Sequence, residues 1–179
     1  MTRPVPSPQH ERAPRQLDRD AALNALGLTG PDPQLDAFAQ RLAQAAGVPY
    51  AMVNIFGAEQ QHFLGLCTPG PDSGLPVVGR SMALEHGYCP EVVQREKALV
   101  LPDVFVHPRF AGNEVVDRIN IRTYAGAPLI CRGVVLGTVC FVGHQEKPKA
   151  TGRDSLALIK AGSDEVMGYL CRRSGLTPR

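Results

Sequence analysis

Apolar side chains along residues 33–46, PQLDAFAQRLAQAA, recur at helical spacing. Leu35, Phe38, Ala39, Leu42 and Ala46 share one face, and Gln34, Arg41 and Gln44 turn away from its centre. Asp32 is placed to cap this helix, Pro33 suits its first turn, and Gly47 can end it. A shorter helical pattern, LDRDAALNALGL, comes before it. Near the far end of the chain, TGRDSLALIKAGSDEVMGYLCRR predicts a helix with Leu158, Ile159, Gly162, Val166, Tyr169 and Leu170 as its apolar stripe. Between these helices the pattern changes to strands. PYAMVNIFG and QQHFLGLC, joined by a short polar turn, predict an antiparallel hairpin. ALVLPD predicts a short strand, and TYAGAPLICRGVVLGTVCF a second hairpin bending at Gly133. TPGPDSGLPVVGR is too rich in Gly and Pro for regular structure and is expected to loop across one sheet face. Residues 81–97 hold a short helix whose first turn is Cys89-Pro90-Glu91, and VHPRFAGNEVVDRINI a turn and one or two helical turns.

This order of elements predicts an α+β fold: an antiparallel sheet with the N- and C-terminal helices on one face and a loop-rich layer with short helices on the other. A loop-rich layer packs less tightly on a sheet than a helix does, so a cleft is expected there. Residues 1–16 carry four prolines and almost no large apolar side chains, so they are expected to form a mobile tail, leaving residues 17–175 as a single domain. A net charge of +2, with both signs interspersed, lacks the basic stripe that nucleic-acid binding requires. The five cysteines show no CxxC spacing and mostly sit in apolar runs, as expected in a reducing cytoplasm. The N-terminus lacks a signal-peptide core, and no later run is apolar for long enough to span a bilayer. Neither a membrane nor a nucleic acid is therefore an expected partner.

The second hairpin has no acid–base constellation, only Arg132 at its bend. Strand parity puts Tyr124, Gly126, Pro128 and Ile130 in one row, opposite Ala125, Ala127, Leu129 and Cys131. Tyr124 is expected at the cleft, where its phenol can hydrogen-bond a ligand, and Gly126, Ala127 and Gly137 either floor the cavity or mark bulges and close packing. Cys89, at a helix start beside Glu91, is the one candidate nucleophile, and its expected role is that of a small buried residue. Cys131 and Cys140, in apolar strands, are expected to be inert. His86 and Cys89 make a His-x-x-Cys spacing, which without two further ligands is no zinc site. Asp103 and Arg109 are expected to close their loop as an ion pair with Phe110 beneath, and Arg122 to meet an anionic ligand or mark an exposed strand start.

ALVLPDVFVHPRFAGNEVV, followed by IRTYAGAPLICRGVVLGTVCFV, resembles the signature of bacterial GAF domains. The likeness extends over about residues 17–173, most specifically over residues 122–140, with His107 and Thr123 standing where aspartate and phenylalanine are usual. It implies a PAS-like sheet of five or six antiparallel strands and a stand-alone sensory or regulatory module that signals through a protein partner or a homodimer. The implied ligand-binding residues are Met82, His86, Cys89, Phe105, Phe110, Arg122, Tyr124 and Gly126, for an unidentified small molecule. No cofactor is named. The Asn-Lys-Phe-Asp-Glu pattern of cyclic-nucleotide-binding relatives and the Cys-His pair that attaches bilins are absent. The alternatives are a cysteine-dependent redox sensor, an enzyme like the free methionine sulfoxide reductases, and a haem-binding sensor.

Overall fold

The structure, a computed structural model, describes the backbone of residues 8–176 and the side chains of residues 15–176 except Val116. Helix α1 spans Pro8–Ala25 and α2 spans Pro33–Ala46. Strands β1 (Tyr50–Phe56), β2 (Gln60–Cys67) and β3 (Ser81–Ala83) follow, then α3 (Cys89–Arg95), β4 (Leu99–Leu101), α4 (Pro108–Ala111) and α5 (Glu114–Ile119). The chain closes with β5 (Thr123–Cys131), β6 (Val134–Gly143) and α6 (Gly152–Ser174). The six strands form one antiparallel sheet in the order β3-β2-β1-β6-β5-β4. The α+β architecture predicted from the residue pattern is therefore the observed one.

Each strand of the sheet centre serves two cores because alternate side chains point to opposite faces. On one face Ala51, Val53, Ala125, Leu129, Val139 and Phe141 pack beneath α1, α2 and α6, with Phe38, Leu42, Ile159, Val166 and Leu170 coming from the helices. On the other, Tyr50, Met52, Tyr124, Cys140 and Val142 meet Tyr88, Cys89 and Val92 of the α3 region and Ile119 and Ile121 around α5.

Helix α2 begins as its sequence requires: Asp32 Oδ1 accepts from the Gln34 N–H at 2.8 Å, and Gly47 ends the helix at φ 63°. Asp32 is buried, and its other oxygen accepts from Tyr169 Oη at 2.9 Å and from Arg173, tying the start of α2 to the end of α6. The β5–β6 hairpin turns through Arg132 and Gly133, both with positive φ (49° and 78°), as a two-residue turn of this hand requires.

Part of the mobile tail expected over residues 1–16 is helical. Helix α1 takes in residues 8–16, and residues 1–7 lie outside the described residues. The reason is propagation from an anchored end: Leu23 and Leu26 are buried, and Arg19 donates to the Val135 carbonyl at 2.7 Å. The preceding Gln, Glu, Arg and Ala residues extend a helix readily once it has nucleated, against the backbone donor that Pro14 removes.

Candidate functional site

A cavity of about 270 Å³ opens between the sheet and the loop-rich layer. Met52, Phe63, Tyr124, Cys140 and Val142 form its floor, from β1, β2, β5 and β6. The loop after β2 (Val77, Val78, Gly79) and Met82 of β3 wall one side, and Val115, Arg118, Ile119 and Ile121 the other. His86, Gly87, Tyr88 and Cys89 complete it. Tyr50 Oη holds the first loop in place through the Pro76 carbonyl at 2.6 Å. Asn113 holds the second: its Nδ2 donates to the Gly87 carbonyl at 2.7 Å, and its Oδ1 accepts from the Gly87 N–H at 3.1 Å and caps α5 at Val115. One side chain thus fixes both the start of α5 and the turn that leads into Cys89.

The lining is mainly apolar, with polar groups at two places. At the rim, Glu114 receives His86 Nε2 at 2.6 Å and Arg118 at 2.5 Å. Deep in the cavity, Cys89 Sγ lies 3.6 Å from Cys140 Sγ and 3.4 Å from Tyr124 Oη, and Cys140 Sγ lies 3.8 Å from Met52 Sδ. Beside these sulfurs Asn54 and Thr138 face each other across β1 and β6, both fully buried. Asn54 Nδ2 donates to Gln61 Oε1 at 2.6 Å, and Gln61 in turn donates to the carbonyls of Ala83 and His86. Asn54 Oδ1 and Thr138 Oγ1 have no hydrogen-bond partner in the protein.

The two thiols are not equivalent. The hydrogen bond with Cys140 brings the Cys89 thiol down to about 6 against the cost of burial, and Thr138, Tyr124 and Asn54 act in the same direction. Cys140 is pushed up, by the hydrogen bond to Cys89, by burial and by the neighbouring charge. Burial pushes Tyr88 up to about 12 and Tyr124 well above its ordinary range, so both phenols remain donors.

Of the residues expected to contact a ligand, Met82, His86, Cys89 and Tyr124 line this cavity. Phe110, Gly126, Phe105 and Arg122 stand elsewhere. Phe110 packs behind the site, edge-on to Tyr88, whose hydroxyl donates to the Phe110 carbonyl at 2.9 Å. Gly126 does not floor the cavity, because the Tyr124 side chain folds back over it. A Cβ at Gly126 would stand 2.1 Å from Tyr124 Oη. Gly137 likewise marks a close approach, since a Cβ there would fall 1.9 Å from the Asn54 carbonyl oxygen. Arg122 lies at the surface with Phe105 under its guanidinium, paired with Asp103 and Glu146. Arg122 beside Asp103 holds that carboxyl below its usual range.

The pair expected between Asp103 and Arg109 is not formed. Arg109 reaches Glu91 of α3 at 2.5 Å, because the turn at Pro108 carries it away from the end of β4 toward the helix. Sequence reasoning missed Asn113, Arg118, Glu114 and the buried Asn54–Gln61–Thr138 group. The polar residues Asn54 and Thr138, standing in rows of apolar neighbours on β1 and β6, were the available signal for that last group. No group of three His, Cys, Asp or Glu side chains among the described residues is arranged to hold a metal ion.

The GAF domain model matches residues 31–170. The chain belongs to the GAF domain family. The match takes in every element that lines the cavity of this GAF domain and leaves α1 outside it. Solved structures agree on the fold. The GAF domain of an Acinetobacter phosphoenolpyruvate-protein phosphotransferase superposes with a TM-score of 0.59 at 18% identity, covering 89% of this chain and 95% of that one. A type II free methionine-R-sulfoxide reductase from Thermoplasma acidophilum gives 0.58 at 13% identity over 78% and 91%. The phycocyanobilin-bound GAF domain of a cyanobacterial phytochrome gives 0.62 at 13% identity over 94% and 97%. No curated protein matches this chain in sequence. These structures include a reductase and a phytochrome domain, so the shared fold by itself assigns no activity.

Proposed function

We propose that this GAF domain is a sensory or regulatory module that takes a small, largely apolar ligand into the cavity above Tyr124 and catalyses no reaction on it. The observation that carries this reading is the cavity itself, about 270 Å³ between the sheet and the loop-rich layer. It has an apolar lining, a phenol and thiols at one end, and Arg118 and His86 at the other. Such a site suits a metabolite with an apolar body and a polar or anionic group that reaches the rim. Met82, His86, Cys89 and Tyr124 are its contacts among the residues expected from sequence, joined by Arg118 and Ile119. The signal leaves through a protein partner or a second copy of the chain, with pairing along the outer surfaces of α2 and α6. The domain works in a reducing cytoplasm, where its five unpaired cysteines remain thiols unless oxidised.

Thermal denaturation in the presence of a metabolite panel tests this, because a compound that binds only the folded state raises Tm. The expected result is a shift with at least one compound that Val142→Phe, which fills the cavity floor, removes. A wild-type Tm that no compound moves, or a shift that survives Val142→Phe, overturns the reading. Turnover of free methionine sulfoxide that disappears in Cys89→Ser would replace it with an enzymatic one.

A further inference from the structure

Cys89 and Cys140 are 51 residues apart in the chain, yet their sulfurs are in van der Waals contact across two layers, one from the first turn of α3 and one from β6. Both are buried in the apolar core on the loop-covered face of the sheet and line the cavity within it. Cys131 and Cys171 offer a contrast. They too are neighbours, but both are buried on the helix-covered face, away from this cavity, and burial pushes Cys171 up. Around Cys89 the surroundings favour an anion: Tyr124 Oη is 3.4 Å away, and the buried Thr138 hydroxyl, otherwise without a partner, lies close by. A cysteine that only fills space needs no such donors. The geometry points to a redox-active dithiol, in which Cys89 is the nucleophile toward a hydroperoxide entering the cavity and Cys140 the resolving thiol.

In the first step the Cys89 thiolate attacks one peroxide oxygen. An S–O bond forms and the O–O bond breaks. The departing oxygen leaves with the electron pair, takes up a proton and becomes water or an alcohol, while Cys89 becomes a sulfenic acid. In the second step the Cys140 sulfur attacks the Cys89 sulfur. The S–S bond forms and the S–O bond breaks, and the hydroxide released combines with the Cys140 thiol proton as water. Two thiols lose two electrons in all, and one hydroperoxide is reduced by two. Closing the bond requires the sulfurs to approach by roughly 1.5 Å, to the disulfide length of about 2.05 Å. A seven-residue helix with surface loops on either side can supply that movement.

This proposal does not depend on the identity of the cavity's ligand, and its failure would leave the ligand-binding reading intact. The full chain, reduced and then treated with hydrogen peroxide at neutral pH, is alkylated in denaturant and mapped by mass spectrometry. The chain is expected to lose two of its five thiols with no gain of oxygen and to yield a Cys89–Cys140 linked peptide. This should occur roughly tenfold faster than oxidation of the partly exposed Cys67, which serves as an internal reference. In Cys140→Ala the reaction is expected to stop at a dimedone-reactive sulfenic acid on Cys89, and in Cys89→Ala Cys140 is expected to stay a thiol. The wild-type measurement stands whether or not the variants fold. Cys89 and Cys140 both remaining free while Cys67 oxidises, or Cys67 forming the first disulfide, overturns the proposal.

Discussion

Gly126 and Tyr124 show how a single missing side chain can shape a site. The Tyr124 ring lies back along β5 into the space above Gly126, which sets the phenol beside Cys89. Gly126→Ala would drive a methyl group into that hydroxyl and force the ring off its place. The expected cost is about 1–3 kcal/mol, read as a lower urea midpoint at unchanged slope. The thiol pair makes a second prediction at this scale. The titratable groups facing Cys89 are Cys140 and Tyr124, with Tyr88 beyond, and both tyrosines are held protonated. The rate of iodoacetamide labelling at Cys89 should therefore rise around pH 6, not near the ordinary thiol value of about 8.5, and Cys140→Ala should move that rise upward. The effect on stability carries a definite sign. Cys89 is depressed in the folded state, so its contribution is full above about pH 8.5 and is lost as pH falls through about 6. Cys140 is raised, so its contribution is present below about pH 8.5 and declines above it. The pair is expected to stabilise the fold most near pH 8.5. Strand parity separated the two rows of β5, and the hydrogen-bonding phenol was the reason to read Tyr124 toward the cavity. The sulfur contact was not legible, because periodicity describes faces and says nothing about which residue of a distant helix lands on them.

At the scale of elements, residues with a local physical signature were the readable ones. Helix α2 has an N-cap, a proline in its first turn, a continuous apolar stripe and a left-handed end, and each was visible before the fold. Strand β3 had none of these. Its three residues, Ser81–Ala83, owe their strand conformation to pairing with β2 at the sheet edge. The surface ion pairs follow the same division: Arg109 was assigned the wrong neighbour because a side chain of this length takes the carboxylate that tertiary folding brings near. Asp32 joins two elements at once, capping α2 and receiving Tyr169 and Arg173 of α6. Asp32→Ala should cost about 1–3 kcal/mol, more than the roughly 1 kcal/mol of a simple cap, because the buried carboxylate's bonds to a partly buried Tyr169 hydroxyl and to an arginine are lost as well. Arg173→Ala alone should cost less, and chemical denaturation of the two variants measures the difference.

At the scale of the whole molecule, the two layers have different tasks: three helices cover one face of the sheet, and short elements enclose a cavity on the other. The apolar sides of α2 and α6 are spent on the sheet, which leaves polar outer surfaces for pairing. A homodimer is the expected state. Multi-angle light scattering over a wide concentration range checks it, and a monomer mass throughout would rule it out. No helix among the described residues is long and apolar enough to cross a membrane.

Strand β6 is one of the central strands that both layers read. Cys140 and Phe141 are adjacent in the chain, one reporting to the cavity and the other to the helices. A rigid strand of period two behaves as a diaphragm: it cannot be displaced on its wet side without displacing its dry side by the same amount. Whatever fills the cavity, or draws Cys140 toward α3, therefore arrives beneath α2 and α6 as a change of pressure instead of a transmitted ligand. A partner on the far surface would need nothing more than that to know what the near one holds.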